Sequence, residues 1–221
     1  MSESKVPKRI VCSATKGGVG KSSTTRNLAV AAAQSGLSVA TVDFDQQRTL
    51  SNWVARRPKE CIQIEHFMAA MNGQDITDIG EITGYDVVLM DSPPLVTDGD
   101  STDVNRQQNV QKLLGISDLV LVLTGQHDED LTSAEAWMKH LVLSNAPALS
   151  VLNATNRRAK SFDKAKKRLI KVGPHCPMDI PRVEDIPATH EFGVGVTEMK
   201  RAKGAGEYEA VWNHIRTLLS I

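Results

Sequence analysis

Short, nearly unbroken apolar runs alternate along this chain with longer stretches in which apolar residues return every three or four positions. The runs are Arg9–Ala14, Ser38–Asp43, Ile62–Phe67, Asp86–Met90, Asp118–Thr124 and Ala148–Leu152. Runs of that length are what a strand covered on both faces requires. The helical spacing occupies Ser22–Ser35, closed by Gly36, and returns in Asp103–Leu114, Leu131–Leu143, Ser161–Val172 and Glu207–Ser220. The last of these puts Tyr208, Val211, Trp212, Ile215, Leu218 and Leu219 on one face. Pro177–Ile180 predicts a further short strand, and a helical stretch runs up to Gly193. A polar stretch containing Trp53 and a loosely patterned segment ending at Gly84 carry no assignment. Strand alternating with helix implies right-handed crossovers. The expectation is one α/β domain over residues 1–221, with a mostly parallel twisted sheet between layers of helices.

Composition narrows the class. A chain of 221 residues is long enough for one such core and too short for two ordinary domains with a linker. No apolar run approaches the ~20 residues of a membrane span. The start, MSESKVPKRI, has no hydrophobic signal core, which reads as a cytoplasmic protein. Cys12, Cys61 and Cys176 lie far apart without C-x-x-C spacing, as reduced thiols do. Net charge is zero, which argues against a chain coated in nucleic acid, but the balance is uneven. Residues 154–221 hold 13 Lys and Arg against 8 Asp and Glu, and residues 1–153 hold 13 against 18. A basic final third on a neutral chain points to a localised anionic partner.

The chemistry is concentrated after the first strand, in SATKGGVGKSSTTR (residues 13–26). The phosphate-binding pattern G-x-x-x-x-G-K-[ST] fails only at Thr15, where its first glycine belongs. Gly17, Gly18, Val19 and Gly20 can still turn backbone N–H groups toward phosphate oxygens at a helix N-terminus. Lys21 would neutralise β/γ-phosphate charge, Ser22 would enter a Mg²⁺ shell, and Ser23 completes the cradle. Two strands then end in acid: VDFDQQ brings Asp43 and Asp45, and YDVVLMDSPP brings Asp91. A strand-ending Asp can hold a metal-bound water opposite Ser22.

These strings resemble the deviant Walker A motif, switch I and switch II of the ParA/MinD family of dimerising ATPases. The resemblance covers most of residues 9–200 and implies a three-layer P-loop NTPase fold with ATP and Mg²⁺ as cofactors. By it, Lys16 is the signature lysine that reaches the nucleotide of the other subunit, so that dimerisation depends on ATP. Lys16 and Lys21 act in catalysis with Asp45, which orients or deprotonates the attacking water. Ser22, Asp45 and Asp91 make up the metal shell. Gln46 stands where the family has proline, which loosens that turn. Asn153 matches a position that faces adenine, and Ile180-Pro181-Arg182 matches the segment whose backbone completes the adenine pocket.

Basic residues crowd the predicted helix around 160–172 and recur at Lys200, Arg201 and Lys203. About eight residues precede the first predicted strand, too few for a helix-turn-helix. The resemblance therefore implies a small ParA type that binds DNA non-specifically as the ATP dimer, through residues such as Arg158, Lys160, Lys164, Lys167, Arg201 and Lys203. The alternative is a solvated helix face. The implied partners are a second copy, nucleoid DNA and a ParB-like adaptor that stimulates hydrolysis to position a cargo. Other readings are a MinD-like regulator at a membrane and an ATP-gated clamp in conjugation or assembly. The final helix carries only Arg216 as a basic residue and reads more simply as core than as a membrane anchor. Asp98–Asp103 lacks the order of a calcium loop, His175-Cys176 is not read as a metal pair, and switch-region cysteines of an iron–sulfur reductase are absent.

Overall fold

In the computed structural model, which describes residues 5–95 and 104–221, each of the six apolar runs contributes a strand. They are β1 (Lys8–Ser13), β2 (Val39–Asp43), β3 (Glu65–Met68), β4 (Val87–Asp91), β5 (Leu119–Thr124) and β6 (Ala148–Leu152). The sheet order is β3-β2-β4-β1-β5-β6 and every pairing is parallel. Register aligns Asp91 with Asp43 on one side and with Cys12 on the other. Both strand-ending acids therefore sit at the same edge of the sheet, beside the exit of β1. The chain leaves β1 for one side of the sheet and later returns to fill the other, the switch point at which open α/β sheets bind ligands.

Along every strand except the edge strand β3, residues alternate between two cores. Ile10, Cys12, Leu89, Leu121 and Val151 pack with α1 (Lys21–Gln34), α2 (Thr49–Val54) and α8 (Ala205–Leu219). Val11, Val88, Met90, Val120 and Val122 pack with α3 (Gly73–Glu81), α4 (Val104–Gly115) and α5 (Asp128–Leu143). Helix α6 (Lys160–Val172) closes the β6 edge, its Phe162, Ala165 and Leu169 lying against Leu131 and Leu152. Helix α7 (Asp185–Phe192) and a 3₁₀ turn at Val196–Glu198 join the α1 side.

Several expectations change. The polar stretch around Trp53 is α2, whose Leu50 and Trp53 are buried. The loosely patterned segment contains α3, capped by the Asn72 side chain, which accepts from the N–H groups of Gln74 and Asp75 at 3.0 and 2.8 Å. Pro177–Ile180 is not a strand. Its neighbourhood makes only isolated bridges, Ser150 to His175 and Thr155 to Pro181, because Pro174, Pro177 and Pro181 have no N–H to give a ladder. On α8, Leu218 faces solvent while Tyr208, Val211, Trp212 and Ile215 are buried. The Asp98–Asp103 stretch lies outside the described residues. Among the described residues no helix is long and apolar enough to cross a membrane.

Candidate functional site

The site begins where β1 ends. Gly18 and Gly20 hold φ values of +78° and +89°, a left-handed backbone that costs a residue with a Cβ about 1–2 kcal/mol. A Cβ at Gly20 would also overlap the Asn153 amide, whereas one at Gly17 would meet nothing within 4 Å. Helix α1 thus starts on a glycine, with neither a side-chain cap nor an acid in its first turn. Its leading N–H groups and the positive end of its dipole are left for an anion.

A cavity of about 1000 Å³ opens in front of this turn, lined by Gly17, Gly18, Gly20, Lys21, Ser22 and Ser23 on one wall. Asp45 with its neighbours to Thr49 forms a second wall, and Pro93, Pro94 and Leu95 a third. The Asp45 loop, with Gln46 where the resemblance expects proline, is tied down. Asp43 Oδ1 accepts from the Asp45 N–H at 3.0 Å, Asp45 Oδ1 accepts from the Gln47 N–H at 3.0 Å, and Arg48 Nη1 donates to the Asp43 carbonyl at 2.9 Å. Hydrogen bonds here replace a fixed proline φ.

Asp91 lies behind the loop, fully buried, and neither carboxylate oxygen has a partner at full hydrogen-bond geometry among the described residues, the Ser22 hydroxyl making only a weak contact. Burial pushes its carboxyl up to about 7, with the nearby Ser22 hydroxyl and Lys21 opposing and Asp43 and Asp45 adding to the rise. A buried polar group without a partner is rare and calls for an explanation. A buried carboxylate beside a serine hydroxyl offers oxygen ligands of the kind a hydrated Mg²⁺ takes, and the neighbouring Lys21 ammonium suits the phosphates such an ion accompanies. The residues present fit that ion.

The remaining expected residues divide. Asn153 ends β6 and donates from Nδ2 to the Val19 carbonyl at 2.7 Å, while its Oδ1 accepts from the Ala154 N–H at 2.9 Å. Its amide therefore braces the phosphate loop from behind. Pro181 runs beside Thr155, outside the cavity lining. Lys16 turns away from its own loop: Nζ lies 3.7 Å from Asp130 Oδ1 and 3.9 Å from Glu129 Oε2, at the start of α5. Sequence reading missed Arg26, Arg48 and Asn109, which also line the cavity. Arg26 had no local signal, since its partners are Thr189 Oγ1 at 2.8 Å and the Ile186 carbonyl at 3.2 Å. Burial pulls that guanidinium down to about 10.

The basic region is smaller than its composition. Arg168 is held by Asp128 and Glu135, and Arg157 by Asp179 and Glu207. Arg158, Lys160, Lys164 and Lys167 are exposed at the entry and on the outer face of α6, and Arg201 and Lys203 are exposed just before α8. The 3.3 Å contact between Arg157 and Glu207 makes the two stretches neighbours.

A glycine loop between β1 and α1, a lysine and serine opening the helix, and an acid ending a neighbouring strand define a P-loop nucleotide-binding domain of the three-layer α/β class. The chain belongs to the CobQ/CobB/MinD/ParA nucleotide-binding domain family, whose model matches residues 10–196. No curated protein matches it by sequence. Among solved structures it is similar to the cell division ATPase MinD of Pyrococcus furiosus, with 19% identity, a TM-score of 0.74, and coverage of 96% of this chain and 99% of that one. The septum site-determining protein MinD of Pyrococcus horikoshii OT3, complexed with Mg-ADP, shows 18% identity, a TM-score of 0.73 and coverage of 96% and 97%. A putative plasmid partition protein of Borrelia burgdorferi B31, bound to AMPPNP, shows 15% identity, a TM-score of 0.74 and coverage of 97% and 100%.

Proposed function

We propose that this chain is a ParA-like, Mg²⁺-dependent ATPase that dimerises around ATP, binds DNA without sequence preference as that dimer, and hydrolyses ATP when a ParB-like adaptor stimulates it. The observation that carries the reading is the buried Asp91 carboxylate, which no described residue meets at full hydrogen-bond geometry, behind an uncapped glycine turn. Lys21 and the N–H groups of residues 17–23 would hold the β- and γ-phosphates. Ser22, with Asp91 and Asp45 in the outer shell, would hold Mg²⁺, which spreads the phosphate charge during transfer. Asp45 would aim the attacking water from a loop that its own hydrogen bonds keep rigid. Beyond the cavity in front of the phosphate loop, whose lining includes neither residue, Asn153 at the end of β6 and Pro181 would flank the base.

Lys16 supports a dimer because it faces away from its own phosphate loop and rests loosely on Glu129 and Asp130. A triphosphate offered by a second copy is a stronger site for it than two distant carboxylates. The exposed lysines of α6 and the arginine and lysine before α8 would make salt-sensitive phosphate contacts, doubled in the dimer.

The test is Lys16→Ala, followed by light scattering with AMPPNP and Mg²⁺, fluorescent-nucleotide titration and ATP turnover. The expected result is unchanged nucleotide affinity, no dimer, and turnover reduced about 100-fold. A wild-type protein that stays monomeric with saturating AMPPNP overturns the dimer reading. DNA retardation and liposome sedimentation, each with ATP at two salt concentrations, separate the DNA reading from a membrane one.

A further inference from the structure

The Asp45 loop is braced by a line of side chains that begins on the edge strand. Asp43 Oδ2 accepts from both the N–H and the hydroxyl of Ser51 on α2, at 2.9 and 2.7 Å. Its other oxygen takes the Asp45 N–H at 3.0 Å. The single hydroxyl hydrogen of Ser51 is thus committed to the carboxylate, so Ser51 Oγ can only accept on its other side. What it accepts from is His66 Nε2, on β3, at 3.0 Å. This fixes the tautomer: the proton is on Nε2.

The far nitrogen, His66 Nδ1, lies 3.0 Å from Thr41 Oγ1, and that hydroxyl is also 3.3 Å from the Glu65 carbonyl. In a neutral ring Thr41 donates to Nδ1. In a charged ring Nδ1 donates to Thr41, whose hydrogen turns to Glu65. The line from Thr41 to Asp45 keeps its hydrogen bonds in both states. Asp43, Arg48 and Glu65 are the charged groups facing the ring.

Packing does not explain this arrangement. The strand β3 has four residues, none of them buried, and Met68 is 67% exposed. A histidine placed there contributes little to the core and much to direction, since partners one step behind a reacting group fix its orientation. We propose that His66 and Ser51 are positioning residues for ATP hydrolysis: they hold the Asp43 carboxylate, and Asp43 holds the Asp45 backbone so that the Asp45 side chain meets the attacking water. The inference rests on the role of Asp45 proposed above.

The experiment compares His66→Phe, His66→Gln, Ser51→Ala, the double variant Ser51→Ala/His66→Phe and Asp45→Asn in the full chain. Single-turnover hydrolysis of Mg-ATP gives the rate, and a fluorescent ATP analogue gives affinity. His66→Phe and Ser51→Ala are expected to slow hydrolysis about tenfold with affinity held within about twofold. The double variant is expected to be no slower than the worse single, because both changes cut one line. His66→Gln is expected to recover most of the rate, since its amide N–H can stand where Nε2–H stood. Wild-type rates in His66→Phe and Ser51→Ala, with Asp45→Asn inactive, overturn the inference, as does an additive loss that tracks weakened binding. A fully active Asp45→Asn overturns the reading of Asp45 instead. If His66→Phe melts early, the rates of Ser51→Ala and His66→Gln decide between these outcomes.

Discussion

Asp91 and Asp179 are both almost completely buried, and they are kept in opposite ways. Asp179, in the basic final third, accepts from Thr155 Oγ1 at 2.5 Å and from Arg157 Nε at 2.9 and 3.2 Å. Asp91, at the phosphate loop, has among the described residues only a weak contact with the Ser22 hydroxyl. Burying a carboxylate costs several kcal/mol unless partners offset it. Around Asp179 the protein supplies those partners and gains a tie between the β6–α6 loop and the segment before α7. Around Asp91 the described residues offset the desolvation only in part, through Ser22 and Lys21, as suits a carboxylate at a ligand site. One region uses its charges for architecture, and the other holds them ready.

The largest expected separation between the two is in hydrolysis. Asp91→Asn should lower Mg-ATP turnover at least ~100-fold, while Asp179→Asn should leave it within about twofold; equal losses from both would erase the distinction. Stability should respond with the opposite sign. Asp179→Asn is expected to destabilise the chain by about 2 kcal/mol in urea unfolding, since it strips charge from a buried network. Asp91→Asn is expected to stabilise the nucleotide-free protein, by on the order of 2 kcal/mol above pH 7. The folded carboxyl keeps its proton up to about 7, whereas the unfolded one releases it near ~4. The nucleotide-free wild type therefore loses stability as pH rises across that window, and Asp91→Asn should remove the slope.

The smallest expected effect belongs to His175, which Ser150 Oγ meets at 3.0 Å from β6. Burial holds its pKa down to about 4, so the unfolded chain binds the proton first, near ~6.5. Stability should fall as pH drops from about 6.5 toward 4, by roughly 1 kcal/mol given partial exposure. His175→Gln should flatten that limb in acid unfolding curves. An unchanged limb would assign the acid sensitivity to carboxylates elsewhere.

How much was legible depended on how far apart the interacting residues lie. The strands could be read because burial on both faces writes itself as an apolar run. The exception in placement is β3, which starts three residues later than its run because it is an edge strand with no buried residue. The unassigned stretches hid α2 and α3, which each bury only two residues, Leu50 and Trp53 or Ile76 and Ile79. Two buried positions are too few to show a helical period. For α3 the usable signal was Asn72 followed at the third residue by Asp75, an N-terminal cap. The phosphate loop was legible because its chemistry is contiguous from Lys16 to Ser23. What those residues touch was not: Lys16 meets acids on α5, and Asn153 reaches Val19 from β6.

The basic third shows the same limit. Composition counted Arg157 and Arg168 among the residues available to an anion. Only the fold showed that acids on α5, α8 and the segment before Pro181 already hold them.

By itself the sequence determined the six strands, the longer helices, their parallel sheet and the glycine turn, since each follows from residues adjacent in the chain. Tertiary structure alone decided which charges are paired and which stay open. It set Asp91 beside Asp43 by strand register, brought His66 on β3 to Ser51 on α2, and closed the Asp179 network between distant loops. A carboxylate's partners are chosen by packing in three dimensions, and no local pattern records whether they arrive.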